Sequence, residues 1–194
     1  MICKRFTCFL ISIFGILFLP FQAQAEVTLT FYSHNFGSNY PHAFVEIKGN
    51  LETGEVIEED LGFTPAFVGP NVLLGSVKGI IKGVTKGYKE NSDPHFAIVV
   101  SDETYHEIKS FTEDWLTSRK KSYNLNKRNC VHYIGAMLNL VDIKTNTESR
   151  YFKKPKSFLK ETLSLNPKLL PAAPSVNAVM DKGSVTQEPI SIAD

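Results

Sequence analysis

The chain has 194 residues, 43% of them hydrophobic and 21% charged, which is too apolar for a disordered polymer and too mixed for a bundle of membrane spans. Its 21 basic and 20 acidic side chains nearly cancel, so no bulk field favours nucleic acid as a partner. One globular domain is expected, and three cysteines, Cys3, Cys8 and Cys130, have to be accounted for within it.

In residues 1–25, Lys4 and Arg5 precede the apolar run FLISIFGILFL, and FQAQA ends in small residues at Ala23 and Ala25. This is the arrangement of a secretory signal peptide cleaved after Ala25. The apolar run is shorter than the roughly 20 residues a spanning helix needs, and Pro20 closes it. The expected location is therefore periplasmic or secreted. Cleavage removes Cys3 and Cys8 and leaves Cys130 alone in a nearly neutral chain. A lone thiol forms no internal disulfide, so its use is packing, an intermolecular bridge or nucleophilic chemistry.

From Val27 the residues alternate and are rich in β-branched and aromatic types. VTLTFYSH, HAFVEIKG and GEVIEEDLGF read as three strands, the last two joined as a hairpin across GNLETGE. Residues 63–94 fit neither period well. Gly75, Gly79, Gly83 and Gly87 recur every fourth residue with Lys78, Lys82 and Lys86 in step, which at helical spacing gives a glycine stripe beside a lysine stripe. Glycine costs up to ~1 kcal/mol at each interior helical position, so a weak helix or a mobile loop is expected. Three uses fit this insertion: a lid over a cleft, a membrane-surface contact through 72–88, or a solvated excursion.

HFAIVVS is apolar on both faces and reads as a central strand. A helix follows through ETYHEIKSFTEDWLTSRKK, capped by Ser101 or Asp102, with Tyr105, Ile108, Phe111, Trp115 and Leu116 near one face. A second helix runs from Asn129 to about Val141, and a third begins near Pro155. Residues 171–194 lose periodicity and collect Pro, Ser and Ala, which reads as a disordered tail. The expected folded domain is 26–170, an α+β unit with a small antiparallel sheet packed against helices.

Asn129 is a good N-cap, so Cys130 falls in the first helical turn, where free N–H groups and the helix dipole favour a thiolate. The same helix places Cys130, Tyr133, Ile134, Met137 and Val141 on one inward stripe. A thiol nucleophile needs a base. His132 is two residues away, about 200° round the helix, and reads as a surface residue; His34 and His106 have sufficient polar roles on a loop and a helix face. His42 opens a strand whose period of two puts it on one face with Phe44 and Glu46, and that face would border whatever packs across the sheet. His95 opens HFAIVV in the same manner.

HAFVEIKG, followed far downstream by YNLNKRNCVHYIGAML, resembles the circularly permuted branch of the papain-like, NlpC-type cysteine peptidases. That branch includes lecithin retinol acyltransferase-like enzymes and deSUMOylating isopeptidases, and the spacing suits a bacterial exported subgroup. The resemblance rests on His42, Tyr123, Leu125, Asn129, Cys130 and Tyr133 and spans most of residues 27–165. It implies a permuted papain-like core with Cys130 as nucleophile and His42 as general base. The family's third polar residue stands on the strand after the histidine, where Glu55, Glu58, Glu59 and Asp60 all qualify; Glu46 and His95 compete, leaving His95, Glu46 and Glu58 as the main candidates.

The implied chemistry is acyl transfer through a thiolate–imidazolium pair, with the Cys130 N–H in the oxyanion site. For an exported bacterial protein the expected substrate is an amide in a cell-wall peptide, cleaved by a monomer. A lipid-directed acyltransferase or thioesterase, favoured by the apolar 72–84 segment, and a catalytically silent interaction module are the competing readings. No CxxC or HExxH is present and YHEIK lacks a second histidine, so no metal or cofactor is expected.

Overall fold

A computed structural model describes residues 26–35, 40–118 and 122–172. The predicted leader and all of the predicted tail beyond residue 172 lie outside these. Pro171 and Ala172 are not a free tail: Pro171 bridges to Phe96, and the Ala172 N–H donates to the His95 carbonyl at 2.9 Å.

The alternating sequence forms the three predicted strands, with the predicted hairpin between the second and third and a further antiparallel pairing of the first with the second. Strand β1 (Glu26–His34) pairs along its whole length with β2 (His42–Asn50), from Glu26 opposite Asn50 to His34 opposite His42. A tight turn closed by the Leu51 N–H on the Glu55 carbonyl leads into β3 (Val56–Pro65); Gly54 sits there at φ 84°, which a side chain would disfavour. The order across the sheet is β5-β1-β2-β3-β4-β6, every pair antiparallel. The last strand is only Ser122–Tyr123.

Two strand expectations are corrected. β5 (Asp93–Val100) is an edge strand beside β1, with Val99 59% exposed, because its apolar residues cover only part of their two faces. The Gly/Lys segment is neither a helix nor a free loop. Its middle is β4 (Val77–Lys82), paired with β3 from Gly62 opposite Lys82 to Pro65 opposite Gly79 and carrying β6 on its other side. Short helices α1 (Asn71–Leu74) and α2 (Lys86–Glu90) flank it. Of the four periodic glycines packing requires Gly79 most: a Cβ there would enter the ring of Phe63 and lie 3.2 Å from the Tyr123 nitrogen, whereas at Gly75 and Gly87 it would meet nothing. Phe63 is fully buried against Trp115, Tyr123 and Tyr133, so that ring cannot yield. Gly79→Ala is expected to lower unfolding free energy by about 2–3 kcal/mol, read as a lower urea midpoint at unchanged slope; an unchanged midpoint would mean the strand is loosely packed.

Three longer helices cover one face of the sheet. α3 (Asp102–Thr117) begins at the Ser101 cap, α4 (Cys130–Leu140) at Asn129, and α5 (Pro155–Leu165) at a first-turn proline. Val27, Leu29, Phe31, Ala43, Val45 and Ile47 of the sheet meet Ile108, Tyr133, Ile134, Met137, Phe158 and Leu159 in one core. Large side chains buried in this way contribute about 1.5–3 kcal/mol each, which is what holds α4 rigidly against β2 and β3.

Candidate active site

The sequence NLNKRNC sets up the start of α4 locally. The Asn129 side-chain oxygen accepts from the N–H groups of Val131 (2.8 Å) and His132 (3.2 Å), and its amide nitrogen donates to the carbonyls of Leu125 and Phe152. The His132 ring completes the cap by accepting from the Asn129 N–H, and it stacks on Phe152 at 4.4 Å. His132 is thus a half-buried capping residue, not the surface residue its spacing implied, because the third helical position can reach back over the cap. Arg128 lies over the Phe63 and Trp115 rings, 4.8 and 4.4 Å from their centroids, and fixes the preceding turn.

With the turn fixed, the Cys130 thiol is buried. The Ala43 N–H from β2 and the Tyr123 hydroxyl from β6 are turned toward the sulfur and favour its ionised form, together with the N–H groups of the first turn, of which that of Val131 is already taken by Asn129. The Ala43 contact exists because β2 and β3 part company: their pairing stops at Val45 opposite Leu61, two residues short of Ala43, while β3 goes on to pair with β4. α4 packs on the face of β2 that carries Ala43, Val45 and Ile47, not on the face bearing His42 and Phe44, so the imidazole and thiol approach the strand end from opposite faces. His42 precedes the residue whose N–H meets the sulfur, and its ring leans over Gly62, where a Cβ would collide with Nε2. Glycine at 62 is what lets the imidazole enter the gap between the strands.

Burial dominates the titration of both groups. It pushes the Cys130 thiol up to about 11 against the pull of these donors. It also pulls His42 down to about 4, helped by the nearby charges of His34 and Lys82. The preformed thiolate expected from the helix N-terminus is therefore not the resting state; the N–H groups are present, but loss of water outweighs them. Burial and the adjacent thiol push the Tyr123 hydroxyl above its ordinary range, so it keeps its proton and donates.

None of the three candidates for the third residue hydrogen-bonds to the His42 ring. His95 is bonded to the Ser33 hydroxyl at 2.8 Å on the helix side of the sheet. Glu46 shares the His42 face, but burial aside it is held below the usual carboxylate range by Lys89 at 2.7 Å and Lys48 at 2.9 Å. Glu58 is exposed and pairs with Lys48 at 3.2 Å, far down the strand. The wall over the His42 side comes instead from α2: Tyr88 stacks on His34 at 4.0 Å, its hydroxyl donates to the Tyr40 carbonyl, and Lys89 bonds Glu46 and Asp60.

Sequence reasoning marked Tyr123 only as part of a motif, and missed the Ala43 N–H and Gly62. A glycine breaking an apolar strand at GF beside the parting of two strands is the one signal that could have located the imidazole's seat. Gly62→Ala is expected to displace the ring toward water and raise its titration from about 4 toward the ordinary 6.5, followed by imidazole proton shifts in NMR; an unmoved titration would show the ring seated elsewhere.

Comparisons of the chain with family models, with curated proteins and with solved structures give no match. Among the described residues no group of three or more His, Cys, Asp or Glu is placed to hold a metal ion, and no described helix is long and apolar enough to cross a membrane.

Proposed function

We propose that the protein is an exported thiol hydrolase of the permuted papain-like, NlpC type, with Cys130 as nucleophile and His42 as general base. The observation that carries this reading is that two donors from outside the helix, the Ala43 N–H and the Tyr123 hydroxyl, are turned toward one buried sulfur, beside His42 on the same strand end. Packing alone accounts for a small buried residue but not for donors from β2 and β6 turned toward so weak an acceptor.

The reaction starts from the neutral pair. As Sγ bonds to the carbonyl carbon, His42 takes the S–H proton, and the C=O electron pair moves to the oxygen, where backbone N–H groups released by the moving sulfur stabilise it. Collapse of this intermediate expels the amine or alcohol, which receives the proton from His42. Water then adds to the thioester, giving one proton to His42, and the thiol regains it as the acid departs. No cofactor enters any step.

The first substrate class is a cell-wall peptide amide. A second, an acyl lipid, is favoured by exposed Phe67, Leu73 and Leu74 in the loop after β3. The test incubates wild type and Cys130→Ala with purified sacculi and, separately, with phospholipid and acyl-thioester panels. New amino groups released only by wild type from sacculi support the amidase; fatty acid released only by wild type supports the second class. Silence on every panel leaves an interaction module on the same scaffold and overturns the proposal.

A further inference from the structure

The end of the sheet that holds the thiol also carries a surface that the chemistry does not use. Between β3 and β4 the chain runs through eleven residues, AFVGPNVLLGS, with no charged side chain. They are not buried: Phe67 is 82% exposed, Leu73 71% and Leu74 84%. Scattered exposed apolar residues are ordinary, but three large ones within eight residues on a projecting loop are a patch that needs a cover.

Charge around the patch is one-sided. The loop leaves the sheet at Pro65 and returns at Val77, the end at which β2 begins with His42. Exposed Lys78 follows the loop, Lys127 precedes the Cys130 helix, and Lys153 and Lys154 precede α5. Lys153 bonds only the neutral amide of Asn126 at 3.0 Å, while Asp93, the carboxylate on this edge, is already paired with Lys156 at 2.8 Å; Glu113 and Asp114 lie a turn back on α3. Lys153, Lys154 and Lys156 also line a cavity of about 250 Å³ with His34, Asn35 and Pro41. The opposite end gathers Glu26, Glu52, Glu55, Asp102 and Glu103 against exposed Lys144 and Lys168, where α4 and α5 end. In an anionic surface's field this molecule turns one way, with the apolar loop and the lysines facing the surface.

We infer that this end docks on an anionic phospholipid bilayer, with Phe67, Leu73 and Leu74 entering the interface, Lys78, Lys127, Lys153 and Lys154 meeting lipid phosphates, and the cationic cavity taking one headgroup. The end of the sheet where β2 and β3 part then faces the bilayer. Apolar insertion joined to basic side chains is the two-part attachment that interfacial segments use, each part alone being weak. The inference is independent of the hydrolase reading, because binding is measured without turnover.

The test is flotation of the chain from Glu26 to Asp194, which contains every described element, with phosphatidylcholine vesicles and with vesicles containing phosphatidylglycerol. Wild type is expected to float with the anionic vesicles and to detach in high salt. Phe67→Ser/Leu73→Ser/Leu74→Ser is expected to bind roughly tenfold more weakly, and Lys153→Glu/Lys154→Glu to lose most of the preference for anionic vesicles, both with unchanged thermal midpoints since these side chains are exposed. Cys130→Ala is expected to float as wild type does. Failure of wild type to float, or flotation of the triple serine variant at the wild-type level, overturns the inference. A wild-type dimer that the serine variant converts to monomer, without vesicle binding, assigns the patch to a second copy instead and overturns it equally.

Discussion

Replacing Cys130 by alanine is expected to abolish acyl transfer, a loss of at least about a thousandfold in kcat/KM, while the fold stays intact. His42→Ala is expected to cost about 10²–10⁴-fold. Tyr123→Phe, which keeps the ring against Phe63 at 5.4 Å and removes only the hydroxyl, is expected to lower kcat with little change in KM. The resting site adds a constraint. Moving a proton from a thiol that titrates at about 11 to an imidazole at about 4 costs roughly 10 kcal/mol in the covered state, before the attraction of the two charges is counted. The free protein should therefore alkylate more slowly than a model thiol at pH 7, and at the model rate once unfolded in urea. Fast alkylation of the folded chain would show that the sulfur is not covered as described; equal turnover by wild type and Cys130→Ala would remove the thiol from the mechanism.

The second large effect is on stability in acid. Burial holds His42 and His95 each at about 4 in the folded chain, against an ordinary 6.5. Below 6.5 the unfolded chain takes up protons that the folded chain refuses, so stability rises with pH across this window and is lost as pH falls from 6.5 toward 4. Each histidine contributes up to roughly 3 kcal/mol of that loss. On the alkaline side the sign reverses: the Cys130 thiol stays protonated to about 11 when folded but ionises from 9 when unfolded, and stability falls over that interval. Urea midpoints at pH 7, 5.5 and 4.5 test this, and a flat profile would contradict the burial of both rings. His95→Gln, which can still bond Ser33, is expected to flatten the acid limb by about half.

What was legible in the sequence was local. The α4 start could be placed because Asn129 caps its own helix, and α3 and α5 because Ser101 and Pro155 act within one turn. The β2–β3 hairpin carried its turn glycine on its face. Long-range features were not legible. The Gly/Lys period matched a helix, and only the partner strand β3 and the Phe63 ring, fourteen or more residues away, make it a strand. The Ala43 N–H has no sequence signature at all, since it becomes available through where two strands separate. The thiol's direction of shift was misjudged for the same reason: a helix N-terminus is visible in a sequence, whereas the loss of water around it depends on the whole fold.

That Val77–Lys82 belongs to the sheet divides the site mechanically into frame and hinge. β4 carries β6, and β6 brings Tyr123 to the sulfur, so swinging β4 outward would dismantle the very contacts that hold the thiol. After Lys82 the attachment is lighter: one helical turn, α2, rests on the sheet through the Tyr88–His34 stack and through Lys89 clasped between Glu46 and Asp60. Ion pairs of this partly exposed kind contribute on the order of 1 kcal/mol, far less than the buried packing of β4. The wall beside His42 therefore rests on five residues, Lys86–Glu90, held by the aromatic seat of Tyr88 and the ion pairs of Lys89.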